Sequence, residues 1–281
     1  LPRLAGAKIL LNVDGQDWAR AKWGAFARWY QRRCERLAGI TANVIIADAR
    51  IIKQRYAETY GLPAVFVPYG GTIRHDERDD ALRRWNLKSR EYMLFAGRLV
   101  PENGTDMLIR TFLKITTDKR LVILGDAPYV EKYKRQLKSI ASDRVVFTGY
   151  AFGDDYAQLS SHAYLFVLPA AIDGTRPVLL DQLGFGNAVL VRNSPANMEV
   201  IGDAGFSFDH SDPEGDLSRQ LQRLVDAPDL VDAMRKRAPE RVRDFYNWEW
   251  IADYYEDLFR RVCGKVEVCD YDVYLRARSA M

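Results

Sequence analysis

From Tyr92 onward the chain repeats one pattern: an apolar run of strand length, a polar or glycine-containing turn, then an amphipathic stretch. The runs are Tyr92–Ala96, Leu121–Leu124, Val145–Phe147, Ala163–Ala170, Ala188–Val191 and Gly205–Phe208. Helical periodicity lies between them at 105–117, 129–141, 154–161 and 177–185, and closes the chain at 214–226, 229–245 and 247–262. A short turn is expected around Ala196–Ile201. Alternation of this kind predicts a parallel sheet with crossover helices. Upstream, Lys8–Val13, Val44–Ala47 and Ala64–Val67 read as strands, with helices over 18–38 and 49–60. Pro68-Tyr-Gly-Gly-Thr72 is a strong breaker and places a domain boundary. Residues 74–90 are densely charged and are expected to form an exposed loop and helix.

Ligands of open parallel sheets bind beyond the carboxyl ends of the strands. The most informative such end is Asp173-Gly-Thr-Arg-Pro-Val-Leu-Leu-Asp181. Pro177 suits the first position of a helix, where a missing N–H costs nothing, and Thr175 or Arg176 then falls at the N-cap. The free amides and the positive dipole end of that turn attract phosphate. Asp173 and Asp181 flank them, and carboxylates accept from hydroxyls. The layout suits a phosphate centre with hydroxyl-rich ends, as in a nucleotide sugar; the plain alternative is an ordinary strand–loop–helix joint. Arg98, following Gly97 at the end of its strand, can fork onto phosphate oxygens. Asp14 ends the first strand and is a candidate substrate contact or a simple turn aspartate.

Composition narrows the classes. No apolar run approaches the ~20 residues of a membrane-spanning helix, and Leu1-Pro-Arg-Leu lacks a signal-peptide pattern. Three cysteines without a Cys-x-x-Cys favour a reducing compartment. The three histidines show no metal-ligand spacing, and no metal is expected. There is neither a Gly-x-Gly-x-x-Gly after a strand nor a Walker A sequence, which disfavours a standard dinucleotide or P-loop site. The net charge of +3 is uneven: residues 1–70 carry 11 basic against 5 acidic side chains, the rest 30 against 33. Residues 18–36 mix Trp18, Trp23, Phe26, Trp29 and Tyr30 with arginines. This points to a membrane-surface contact or to a packed helix with solvated arginines.

Taken together, Gly97-Arg-Leu-Val-Pro-Glu-Asn-Gly104, Gly125-Asp126, Val146-Phe-Thr-Gly149, Leu168-Pro169 and the Asp173–Asp181 stretch resemble GT-B glycosyltransferases of family 4. Asn12-Val-Asp-Gly-Gln-Asp-Trp18 with Lys22-Trp23 is similar to the rhamnosyltransferase-like subgroup. The resemblance implies an α/β chain of the GT-B type with Rossmann-like parallel sheets. Residues 1–70 would be part of an acceptor-side N-terminal domain and 71–246 the complete nucleotide-sugar domain. Residues 247–262 would be a closing helix returning to the N-terminal domain, followed by a tail, 263–281. By position, Arg98 would meet the diphosphate and Asp173 the sugar, Asp14 would stand near the donor sugar, and Asp181 would bind ribose hydroxyls. Gly149 and Tyr150 would border the base. Gly97 and the amides of Gly174, Thr175, Arg176, Val178 and Leu179 would line sugar and phosphates. Two departures stand out: both family glutamates are aspartates, and Asn103 replaces the usual lysine beside the diphosphate.

The implied activity is transfer of a sugar, with rhamnose a candidate, from a nucleoside-diphosphate sugar to a hydroxyl acceptor in polysaccharide or glycolipid synthesis. It implies retention, no cofactor or metal, a carbohydrate or lipid-linked acceptor, no nucleic acid, and a cytoplasmic place at the inner membrane face. The alternatives are a nucleotide-sugar-binding module without transfer activity and a GT-B sugar-nucleotide epimerase.

Overall fold

The computed structural model describes residues 5–13, 18, 23–128, 130–170 and 174–279. It divides into two compact units: residues 1–70, 173–175 and 246–281 form the first, residues 71–172 and 176–245 the second. Residues 173–175 group with the first unit, and so do the closing stretch 247–262 and the tail 263–281.

The first unit opens with β1 (Leu10–Val13), α1 (Ala25–Thr41), β2 (Val44–Ala47), α2 (Arg50–Tyr60) and β3 (Ala64–Phe66). The strands form a parallel sheet in the order β1-β2-β3. Helix α1 covers 25–41, where the sequence pattern suggested 18–38. Its inner face carries Gly39, where a Cβ would stand 2.6 Å from Leu62, and Glu35, ion-paired with Arg55. The opposite face holds Phe26, Trp29, Tyr30, Leu37 and Ile40, each more than half exposed. The spacing i, i+3, i+4, i+11, i+14 puts them in one stripe.

The second unit runs α3 (Asp80–Arg84), β4 (Tyr92–Ala96), α4 (Thr105–Phe112), β5 (Arg120–Leu124), α5 (Glu131–Ile140), β6 (Val145–Gly149), α6 (Gly153–Ser161), β7 (Leu165–Leu168), α7 (Pro177–Gly184), β8 (Val189–Arg192), α8 (Pro195–Ile201), β9 (Phe206–Phe208), α9 (Pro213–Asp226) and α10 (Pro228–Phe245). The six strands are parallel, in the order β6-β5-β4-β7-β8-β9. This is a doubly wound order whose direction reverses between β4 and β7, and the crevice at such a switch point is where ligands bind. Met93, Phe95, Leu121, Ile123, Leu165, Val167 and Leu190 form one core with Leu108 and Phe112 of α4, Leu137 of α5 and Leu217 and Leu221 of α9. Alternation turns Leu94, Val122, Phe166 and Val189 to the other face. The stretch at 196–201, expected as a turn, is helix α8. Pro195 occupies its first turn and the Ser194 hydroxyl accepts the Asn197 N–H at 3.4 Å, a start signal of the usual kind.

The chain then returns to the first unit as α11 (Trp248–Gly264) and α12 (Tyr271–Ser279). Ile251, Tyr254, Leu258 and Val262 of α11 pack with Ile46, Val65, Phe66 and Tyr271. The tail therefore has a role that its sequence did not disclose. Asp270 accepts the Phe66 N–H at 2.9 Å and pairs with Lys53, so a carboxylate covers the exposed edge of β3.

Candidate functional site

Three glycines end neighbouring strands on the carboxyl side of the six-stranded sheet. Gly97 donates its N–H to Leu124 at 3.0 Å, and Gly125 donates to Gly149 at 2.8 Å. Gly125 has φ +136, and a Cβ there would stand 1.9 Å from the Gly97 carbonyl oxygen. Only glycine allows this approach. It exposes backbone rather than side chain at the strand ends.

The loop after Gly97 holds Arg98, which is exposed, then a single 3-10 turn at Pro101–Asn103, and Gly104 in the left-handed region. Asn103 is buried. Its Nδ2 donates to the Arg98 carbonyl at 2.7 Å, and its Oδ1 accepts from Arg176 Nη1 at 3.2 Å. Asn103 thus closes the Arg98 loop and ties it to the N-terminus of α7 across the switch point. The sequence suggested that a lysine-to-asparagine departure removes a positive charge from this place. The structure brings Arg176 to it, 73 positions away in sequence.

At the start of α7, Pro177 is the first helical residue. The N-cap is Arg176, extended and without a side-chain cap; Thr175 does not cap the helix. Two of the expected amide donors also have protein acceptors. Thr175 donates its N–H to the Asp48 carboxylate at 3.2 Å and its hydroxyl to the Asp48 carbonyl at 2.9 Å, while the Leu179 N–H donates to Arg176 at 2.9 Å. For Leu179 the reason is local, since a tight first turn of the helix supplies its own acceptor; for Thr175 it is tertiary, because Asp48 lies 127 positions away. Gly174, Arg176 and Val178 remain as the candidate contacts. Asp14 and Asp173 lie outside the described residues.

Asp181 sits one turn into α7, half-buried, and accepts the Tyr156 hydroxyl at 3.3 Å. Burial raises its pKa above the usual carboxylate range, while the Arg74 charge and the Tyr156 hydrogen bond act the other way. Arg74 lies 4.5 Å over the Phe185 ring.

Beyond Gly149, Tyr150 is exposed and stacks on Phe152, with centroids 5.7 Å apart and planes 18° apart. Phe152 is 76% exposed, which is unusual for phenylalanine beside a candidate base-binding edge. A cavity of about 240 Å³ is lined by Leu99, Gly125, Lys134, Phe147 and Gly149. Asp126, after Gly125, is held below its usual pKa by the hydrogen bond from Lys134. Sequence reasoning missed Phe152, Tyr156 and Arg74. The only local signal was an aromatic–glycine cluster, Tyr150-Ala-Phe-Gly153.

Comparison with known proteins places the fold and names the family matches. Residues 90–227 match the family described as Glycosyl transferases group 1, and residues 3–72 match a domain of unknown function, DUF1972. A GDP-mannose-dependent alpha-(1-6)-phosphatidylinositol monomannoside mannosyltransferase of Mycolicibacterium smegmatis is 27% identical over 277 residues, covering 89% of this chain and 69% of the relative. Sucrose-phosphate synthase from Thermosynechococcus elongatus has a similar structure, with a TM-score of 0.79 at 20% identity over 91% of this chain and 68% of its own. Anabaena HepE, solved with UDP and glucose, has a TM-score of 0.80 at 16% identity over 92% of this chain and 73% of its own. The chain therefore has an α/β fold of the GT-B type, and residues 90–227 match the family described as Glycosyl transferases group 1.

Proposed function

We propose that this protein moves a sugar from a nucleoside-diphosphate sugar to a hydroxyl acceptor. The observation that carries it is Asn103, which joins the Arg98 loop to the proline-started helix α7 at the switch point. Two guanidinium-bearing residues and a helix N-terminus then surround one place for a diphosphate. The carbon–oxygen bond at the anomeric centre breaks with its electron pair leaving on the diphosphate, the acceptor oxygen bonds to that carbon, and the hydroxyl proton passes to the departing diphosphate. Arg98, Arg176 and the Val178 amide stabilise that charge as it develops. Asp181 accepts from ribose hydroxyls, Asp173 and Asp14 orient the sugar, and the base lies by Gly149, Tyr150 and Phe152. The same proposal includes retention at the anomeric carbon and no need for a metal.

Rhamnose is the candidate sugar, supported by the resemblance at Asn12–Trp18. A panel of dTDP-, UDP- and GDP-sugars in a thermal-shift assay identifies the donor. A transfer assay in chelator, with the product anomer read by NMR, follows. Arg98→Ala is expected to lower turnover about tenfold to a hundredfold; near-normal turnover defeats the phosphate role. Nucleotide binding without any product favours a binding module, and release of free sugar or epimer without acceptor favours an epimerase.

The acceptor is proposed to be lipid-linked and reached at the cytoplasmic membrane face. The outer stripe of α1, with Arg33 and Arg36 among its aromatic residues, has the charge and chemistry of a helix lying on an anionic bilayer. Among the described residues no helix is long and apolar enough to cross a membrane. Flotation with phosphatidylglycerol vesicles tests the contact. Binding that Trp29→Asp and high salt both abolish supports it, and no binding at low salt removes it.

A further inference from the structure

A buried chain of hydrogen bonds runs from α10 to Asp181, and every link has a defined direction. Arg235 Nη1 donates to Asn187 Oδ1 at 2.7 Å. Asn187 Nδ2 donates to Gln182 Oε1 at 2.7 Å and to the Ser160 carbonyl at 2.7 Å. Gln182 Nε2 donates to Ser160 Oγ at 2.9 Å and to the Tyr156 hydroxyl at 3.2 Å. Tyr156 then donates to Asp181 Oδ2 at 3.3 Å. Asn187, Gln182 and Ser160 have no measurable exposure.

The direction is imposed from one end. A guanidinium has only donors, so Asn187 must turn its oxygen to Arg235 and its NH2 group to Gln182. Gln182 must then turn its oxygen to Asn187 and its NH2 group to Tyr156. The tyrosine oxygen therefore already accepts one bond, and its own proton is left for Asp181. Reversing any amide sets donor against donor inside the core, at the full desolvation cost of the unpaired groups.

We infer that Tyr156 is a positioning residue for the ribose contact: its hydroxyl, oriented by Gln182, Asn187 and Arg235, holds one carboxylate oxygen of Asp181 and leaves the other to accept from the ribose. This rests on Asp181 as the ribose contact in the proposed function. Burial raises the tyrosine pKa, so the hydroxyl keeps its proton across the working range. The Tyr156 ring also meets Phe185 edge-on at 5.8 Å, a contact that phenylalanine would keep.

The test is calorimetry with UDP or GDP, whichever the wild-type chain binds more tightly, against its 2′,3′-dideoxy counterpart. Tyr156→Phe is expected to weaken the ribonucleotide about fivefold to tenfold and to leave the dideoxynucleotide unchanged. Gln182→Met, which does not touch ligand, is expected to produce a smaller loss with the same selectivity. Dideoxynucleotide affinity serves as the control for folding. Equal loss for both nucleotides makes the chain purely structural and overturns the inference, as does an unchanged Tyr156→Phe. A wild-type chain that binds both nucleotides equally removes the ribose role of Asp181, and the inference with it, while the diphosphate site stands. A wild-type chain that binds neither defeats the proposed function itself.

Discussion

Gly125→Ala separates two effects that usually arrive together. The first is backbone conformation: at φ +136 a side chain is strained by about 1–3 kcal/mol. The second is collision, since the new Cβ would lie 1.9 Å from the Gly97 carbonyl oxygen, whereas ordinary contact begins near 3.4 Å. The ends of β4 and β5 must part by about 1.5 Å, the difference between those distances, in a core that resists such movement; overpacking of this kind costs about 1–3 kcal/mol. The expected total is ~2–6 kcal/mol, a large part of the ~5–15 kcal/mol that holds a domain together. Gly149→Ala is the control. It has φ +69 but nothing within 4 Å of a Cβ, so only the conformational cost of about 1–2 kcal/mol applies. Urea titration followed by circular dichroism should place the Gly125→Ala midpoint about 1 M or more below that of Gly149→Ala. Because Gly97 precedes Arg98, the displaced carbonyl should also weaken nucleoside-diphosphate binding more than Gly149→Ala does. Equal midpoints for the two variants would refute the claim that close approach of backbone, not φ, explains glycine at 125.

Asn103→Leu removes the donor to the Arg98 carbonyl and the acceptor for Arg176, and should weaken diphosphate binding about tenfold by calorimetry; unchanged affinity rules out the bridging role. Asp181→Asn should stabilise the fold while abolishing preference for ribose. The sign follows from the raised pKa of Asp181 in the folded protein: stability is fullest below the unfolded pKa, near 3.9, and is lost as pH rises through the folded pKa. The variant's gain in melting temperature should therefore be present at pH 7.5 and fade toward pH 4, and a gain that grows on acidification contradicts the direction. Asp270→Ala uncaps the Phe66 N–H and breaks the pair with Lys53. A loss of about 1–3 kcal/mol is expected in urea unfolding, and no loss means the tail does not secure β3.

The strands and helices of the second unit were legible because their signals are local. Tyr92–Ala96 and, in the first unit, Val44–Ala47 appear as read, the Gly70–Gly71 boundary falls within the Pro68–Thr72 breaker, and Pro177 starts its helix. The misses are equally instructive. The start of α8 was written in Ser194-Pro195 but masked by its shortness, and α12 has an amphipathic pattern too weak to read without the surface it covers. The amide donors were overestimated because a sequence reveals which groups exist, not which are already bonded; Thr175 and Leu179 are.

What the sequence determined by itself was the periodicity, and through it a parallel sheet whose polar strand ends form the candidate ligand edge. What only the tertiary structure decided was which of those ends meet. The sheet order inserts β4 beside β7, and that adjacency brings Asn103 to Arg176 and Tyr156 to Asp181. Periodicity arises from neighbours three or four residues apart, which any short window contains. The pairing of Asn103 with Arg176 depends on how the whole hydrophobic core is layered, and no local window contains that.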